Sequence, residues 1–135
     1  MQIITPKPTQ ASFALRNYQK KAISDTYRYF RIGIKSVLLY APTGAGKTVI
    51  SSKIIADSVG KGRRVLFLCH RTKLITQTVN TLKKFFNIDS GVIWGDHPQS
   101  PDAQVQIAMV QSIQNRELPK DIGLVIVDEC HTTSY

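Results

Sequence analysis

Eight residues, APTGAGKT at 41–48, carry the first chemistry in this sequence. An apolar run, SVLLY at 36–40, leads into them, and a helical pattern leaves them from Lys47. A glycine-rich turn between strand and helix is a phosphate cradle. Gly44 and Gly46 let the backbone curl so that the N–H groups of Thr43, Gly44, Ala45 and Gly46 face phosphate oxygens, and the helix N-terminus adds partial positive charge. Lys47 then reaches the β- and γ-phosphates of a nucleotide, and Thr48 offers its hydroxyl to Mg²⁺. Ala41 stands where the G-x-x-x-x-G-K-[ST] pattern has its first glycine.

Such a loop needs a metal partner. The apolar run Leu124 to Val127 delivers one, ending in Asp128 and Glu129. Asp128 is the expected Mg²⁺ ligand, through water, because Mg²⁺ keeps much of its hydration shell. Glu129 is placed to accept a proton from the attacking water or to orient it. An acidic pair after a strand can equally be a helix N-cap or a solvated turn. Its position downstream of a phosphate loop favours the chemical role. His131 reads as a loop residue, a metal ligand or a coupling element. Cys130 and His131 make a poor zinc pair, being adjacent and without two further ligands.

These groups need rigid supports. Residues 1–12 have no apolar period and read as an extended lead-in; the domain proper spans 13–135. Leu15, Tyr18, Ala22, Ile23, Thr26, Tyr27 and Phe30 recur at helical spacing, with Arg16, Lys20 and Arg28 on the other face and Gly33 as terminator. The spacing predicts a strand over 36–40, a helix from Lys47 to a cap at Gly60, a strand over 65–69 and a helix over 72–86. Strands over 91–94 and 105–109, a helical turn near 111–115 and the strand GLVIV complete the series. Tyr27, Tyr29 and Phe30 are read as packing residues, and Trp94 as core or as a surface on which a base stacks. Uniformly apolar strands alternating with helices predict an α/β fold, a parallel sheet flanked by helices on both faces.

Composition sets the limits. A length of 135 residues allows one core, and 42% hydrophobic with 20% charged residues excludes a disordered or collagen-like chain. Two cysteines far apart, no signal peptide and no apolar run of the ~20 residues that span a bilayer predict a cytoplasmic protein with no membrane partner. The net charge of +9 is uneven: residues 1–84 hold 16 Lys and Arg against 2 Asp and Glu, and residues 85–135 hold 2 against 7. A basic region of that kind suits a phosphate backbone, although lysines and arginines also simply solvate a surface.

APTGAGKT together with DECH at 128–131 resembles motifs I and II of the superfamily 2 helicases, the group that includes the DEAD-box and DEAH-box proteins. LRNYQ at 15–19, CHRTKLITQT at 69–78 and VQSI at 110–113 resemble further motifs of that group, in the same order. The restriction-enzyme motor and excision-repair branch is the nearest in wording. The resemblance implies a RecA-like P-loop NTPase domain that hydrolyses ATP with Mg²⁺ and moves along or separates strands, with DNA placed ahead of RNA. It implies that Gln19 recognises adenine, that Lys47, Asp128 and Glu129 serve hydrolysis, and that His131 couples the nucleotide state to neighbouring motifs. Arg71 would contact a strand phosphate, with Gln111 and Ser112 as further contacts; an exposed surface arginine is the other reading of Arg71.

Two departures matter. DEAD-box members stack an upstream aromatic on adenine, and only Phe13 is near, at a different spacing; Cys130 replaces the alanine of motif II. Motif III, the second RecA-like domain and its arginine finger do not occur in these residues. The expectation is therefore a first RecA-like domain incomplete at the C-terminus, nearly inactive alone, whose sheet swaps, recruits or re-pairs a strand and which could form a strand-swapped oligomer. The competing reading is a non-catalytic fragment that binds nucleotide or nucleic acid. A P-loop kinase would need an acceptor site and a lid, for which no segment is a candidate.

Overall fold

A computed structural model describes residues 15–35, 37, 46–95, 100, 102–114 and 119–128. The lead-in at 1–12, the 36–40 strand apart from Val37, and the candidate residues Thr43, Gly44, Ala45, Glu129 and His131 lie outside the described residues.

Helix α1 (Asn17–Arg31) starts where Gln19 turns back, its Oε1 accepting the Arg16 backbone N–H at 2.8 Å. It stops at Gly33, whose φ of 97° a side chain would strain, and the N–H of Ile34 closes onto the Tyr29 carbonyl at 3.0 Å. The buried stripe is Gln19, Ile23 and Thr26. That corrects the apolar face read from the sequence: Tyr18, Tyr29 and Phe30 are 45%, 38% and 37% exposed. Two polar residues go inward because each has a local partner, the Thr26 hydroxyl donating to the Ala22 carbonyl at 2.8 Å.

Helix α2 (Lys47–Gly60) packs Ile50 and Ile54 against Ile23 of α1. The glycine that turns the chain after it is Gly62, with φ 80°, and not Gly60, which is still helical. Only Lys61 to Arg63 separate α2 from strand β1 (Arg64–Cys69), so α2 runs antiparallel to β1. Helix α3 (Thr72–Phe86) follows, then β2 (Ser90–Ile93), β3 (Val105–Met109), the single turn α4 (Val110–Ile113) and β4 (Ile122–Val127).

The four strands form one sheet in the order β2-β3-β1-β4, and every pairing is parallel. Val65 lies opposite Val105 on one side and Leu124 on the other, which puts β1 in the interior. Alternation along β1 gives the two faces. Val65, Phe67 and Cys69 meet Ile55 of α2 and Ile75 and Leu82 of α3, while Leu66 and Leu68 meet Ile93, Ala108 and Ile113. Burial of those β1 side chains stabilises the sheet by roughly 2 kcal/mol each. Among the described residues α1, α2 and α3 all lie on the first face and only α4 on the second, so the expected cover on both faces is one-sided there. Val125 on β4 is 51% exposed. Trp94 packs against the first cluster, in agreement with its reading as core.

Candidate nucleotide and nucleic-acid site

In a parallel sheet all strands point one way, and whatever follows them gathers at one edge. Here that edge receives His70 and Arg71 after β1, Trp94 and Gly95 after β2, Val110 to Ser112 after β3, and Asp128 after β4. Because α2 is antiparallel to β1, its beginning, Gly46 to Thr48, comes to the same edge. Helix and strand match in length, about 21 Å for fourteen helical residues and about 20 Å for six extended ones.

Gly46 caps α2 from the left-handed region, with φ 75° and ψ 43°. Among the described residues no side-chain cap bonds the start of this helix, and no acidic residue lies in its first turn. The start of α2 therefore presents backbone N–H groups without an intrahelical partner and partial positive charge. Lys47 and Thr48 are half-buried there. Gln19 is brought onto this turn: a Cβ built on Gly46 would collide with the Gln19 carboxamide nitrogen. Sequence reading set Gln19 beside the adenine; it did not foresee this packing.

Asp128 extends the β4–β1 ladder by one rung, its N–H donating to the Leu68 carbonyl at 3.0 Å. That rung fixes the residue's backbone at the strand end. Its negative charge also acts on Cys69, whose thiol is pushed up to about 11, first by burial and second by Asp128. The Cys69 sulfur lies 3.7 Å from the Ala108 carbonyl and 3.8 Å from that of Arg71. Cys69, the last residue of β1, thus sits beneath the edge between β3 and β4, a position its place at the end of an apolar run did not mark.

Arg71 is the N-cap of α3 in extended conformation and is exposed. Ser112 accepts the Gly95 backbone N–H at 3.3 Å, which ties the end of β2 to α4. Gln111 is exposed beside it. Gln19 thus meets Gly46 at the start of α2, where Lys47 and Thr48 follow, while Asp128, Arg71, Gln111 and Ser112 come after the ends of β4, β1 and β3.

The donor set fits a magnesium nucleotide. A hydroxyl and a carboxylate are oxygen ligands of the kind Mg²⁺ takes, and the glycine turn accommodates nothing larger than hydrogen at Gly46. Among the described residues no group of three or more His, Cys, Asp or Glu is arranged to hold a metal. No helix among them is long and apolar enough to cross a membrane.

The family profile described as "Type III restriction enzyme, res subunit" matches residues 12–135. The chain is 34% identical over 129 residues to IRC3 of Saccharomyces cerevisiae, provisionally named an ATP-dependent helicase, covering 87% of this chain and 19% of that protein. It is 32% identical to the type I restriction enzyme EcoAI endonuclease subunit of Escherichia coli, with 88% of this chain and 16% of that one covered. It is 30% identical to the DExH-box ATP-dependent RNA helicase DExH9 of Arabidopsis thaliana, covering 93% and 13%. The chain spans less than a fifth of the length of these relatives.

Proposed function

Because the chain belongs to the superfamily 2 helicases, through the restriction-enzyme res-subunit family, we propose that it is the ATP-binding part of a motor whose ATP hydrolysis drives movement on nucleic acid, DNA ahead of RNA. The observation that supports the proposal is the left-handed Gly46 that opens α2 with Gln19 packed on it, in a chain whose parallel β4 ends in Asp128.

The chain's own groups divide the work. The N–H groups at the start of α2 bind phosphate oxygens and Lys47 balances their charge. Thr48 and Asp128 hold Mg²⁺, which when bound draws negative charge from the β- and γ-phosphates. Glu129, next in sequence, orients the attacking water and takes its proton, and His131 relays the state of the site. Gln19 reads the adenine edge. Arg71, Gln111 and Ser112 hold the nucleic-acid backbone, a role supported by their place at the ends of β1 and β3.

An arginine supplied from outside the phosphate loop is worth ~10³ to 10⁵ in such reactions, so these 135 residues alone turn over slowly and need the second RecA-like domain of a longer protein. Binding of a fluorescent ATP analogue to the chain, with Mg²⁺ and with excess EDTA, tests the site. Metal-dependent binding that Lys47→Ala and Asp128→Asn each abolish is expected. Equal binding with and without metal, or in both variants, overturns it. Hydrolysis by the longer protein with single strands, duplex DNA and RNA separates the motor from a module that only binds.

A further inference from the structure

We propose a second nucleic-acid contact at the opposite end of the molecule, a groove that takes a base of a single strand with its phosphates on Arg31, Lys61 and Arg63. Helices α1 and α2 run side by side in the same direction: Gln19 meets Gly46, Ile23 meets Ile50, and the Tyr27 hydroxyl donates to Asp57 at 2.6 Å. Their C-terminal ends therefore reach the amino edge of the sheet together, where Arg63 enters β1. Between them lies a cleft of about 200 Å³. Phe30, Ile54 and Leu124 form its apolar wall, and Arg31, Lys61 and Arg63 its rim.

The charge is in excess there. Among the described residues no carboxylate pairs with Arg31, Lys61 or Arg63. The nearest one, Asp57, is taken by the Tyr27 hydroxyl and by Lys53 at 3.0 Å. Two helix C-termini bring about half a negative charge each, which leaves the three cations a surplus of about two. Lys61 lies 5.6 Å from the Tyr27 ring centre, so Tyr27 is occupied and Phe30 is the aromatic left open. An open aromatic flanked by unpaired cations is the pairing that single strands use, a ring for the base and charge for the backbone. None of the motifs quoted from the sequence falls on these residues, and unlike Lys21, Arg28, Lys53 and Lys83 they have no carboxylate partner among the described residues.

The test uses the chain without nucleotide, so it stands apart from the ATP site, and in an Arg71→Gln background, which removes the one cation among the contacts proposed for the other edge. Anisotropy of a fluorescein-labelled oligothymidylate is followed against salt. Replacing Arg31, Lys61 and Arg63 by Gln is expected to weaken binding at least tenfold and to lower the slope of log affinity against log salt by about 2. Phe30→Ala is expected to weaken the single strand about tenfold and to leave a blunt hairpin duplex unaffected. Phe30→Leu, which keeps apolar bulk, gives the same result if stacking is the cause and guards against a folding defect, with far-UV circular dichroism as the control. An unchanged salt slope in the triple variant, equal losses for strand and duplex at Phe30, or displacement by polyglutamate as effective as by unlabelled strand would each overturn the proposal.

Discussion

The carboxamide nitrogen of Gln19 fills the space that a side chain on Gly46 would need, so the first helix and the last glycine of the phosphate turn are in contact. The same amide, through Oε1, holds the Arg16 N–H. One side chain thus anchors the start of α1 and braces the start of α2.

Gly46→Ala should therefore cost more than its backbone alone. At φ 75° a Cβ costs about 1–2 kcal/mol, and displacement of Gln19 adds to it. Urea midpoints for Gly46→Ala, Gln19→Ala and the double variant give the coupling. We expect Gly46→Ala to be milder by at least ~0.5 kcal/mol once Gln19 is gone; strict additivity would deny the contact.

Cys69 gives a pH signature. Burial, then Asp128, holds its thiol neutral up to about 11, above the ordinary thiol range, so the folded chain keeps a proton that the unfolded chain releases. The contribution is fully present below pH 9 and is lost as pH rises through about 11, on the order of 2 kcal/mol in all. Stability of a Cys130→Ser chain should fall over that window, and Cys69→Ala should flatten the fall. A profile identical in both chains rules the effect out.

Tyr27 ties α1 to α2 through Asp57, and burial followed by that carboxylate raises its phenol above the ordinary value. Tyr27→Phe should lower stability by about 1 kcal/mol, since Asp57 keeps Lys53 as a partner. In the parent chain one tyrosine should resist ionisation well past pH 10 by ultraviolet titration. The variant should lack that late tyrosine.

Gln106 latches a loop onto the sheet. Its amide donates to the Ser100 and Ala103 carbonyls, both at 2.9 Å, and its Oε1 would lie 2.7 Å from a Cβ on Gly91. Gln106→Leu removes two hydrogen bonds, although the Ser100 carbonyl keeps the Ala103 N–H and the Ala103 carbonyl keeps Arg64, and should cost about 1–3 kcal/mol. Hydrogen exchange should speed up at Ala103, whose N–H bonds the Ser100 carbonyl, while the centre of α3 stays protected. Unchanged exchange at Ala103 would dismiss the latch.

The periodic segments were the legible part. The helix over 72–86 and the strand over 105–109 have the bounds their apolar spacing predicts, because Leu82 and Ile107 can only be satisfied inward. The inward face of α1 was read correctly at Ile23 and Thr26 and missed Gln19, because that polar side chain finds a partner within its own turn, which hydrophobicity does not report. The neighbours of β4 were not legible either, since pairing order depends on crossovers and not on any one strand. At the site, Lys47, Thr48 and Asp128 were marked by their motifs. Gln19 on Gly46, Gly95 on Ser112 and Cys69 beneath Asp128 depend on elements distant in sequence and left no pattern to read.

The ordering of the strands has a consequence for biosynthesis. A ribosome releases β1 about forty residues before β3 and about sixty before β4, yet β1 lies between those two strands. Leu66 and Leu68 must wait, unprotected, for partners still being translated, and pairings so remote in sequence form slowly. Asp128 is thus the last described site residue to arrive, and a nascent chain stalled before Ile122 already carries Gly46 to Thr48 without the carboxylate that ends β4.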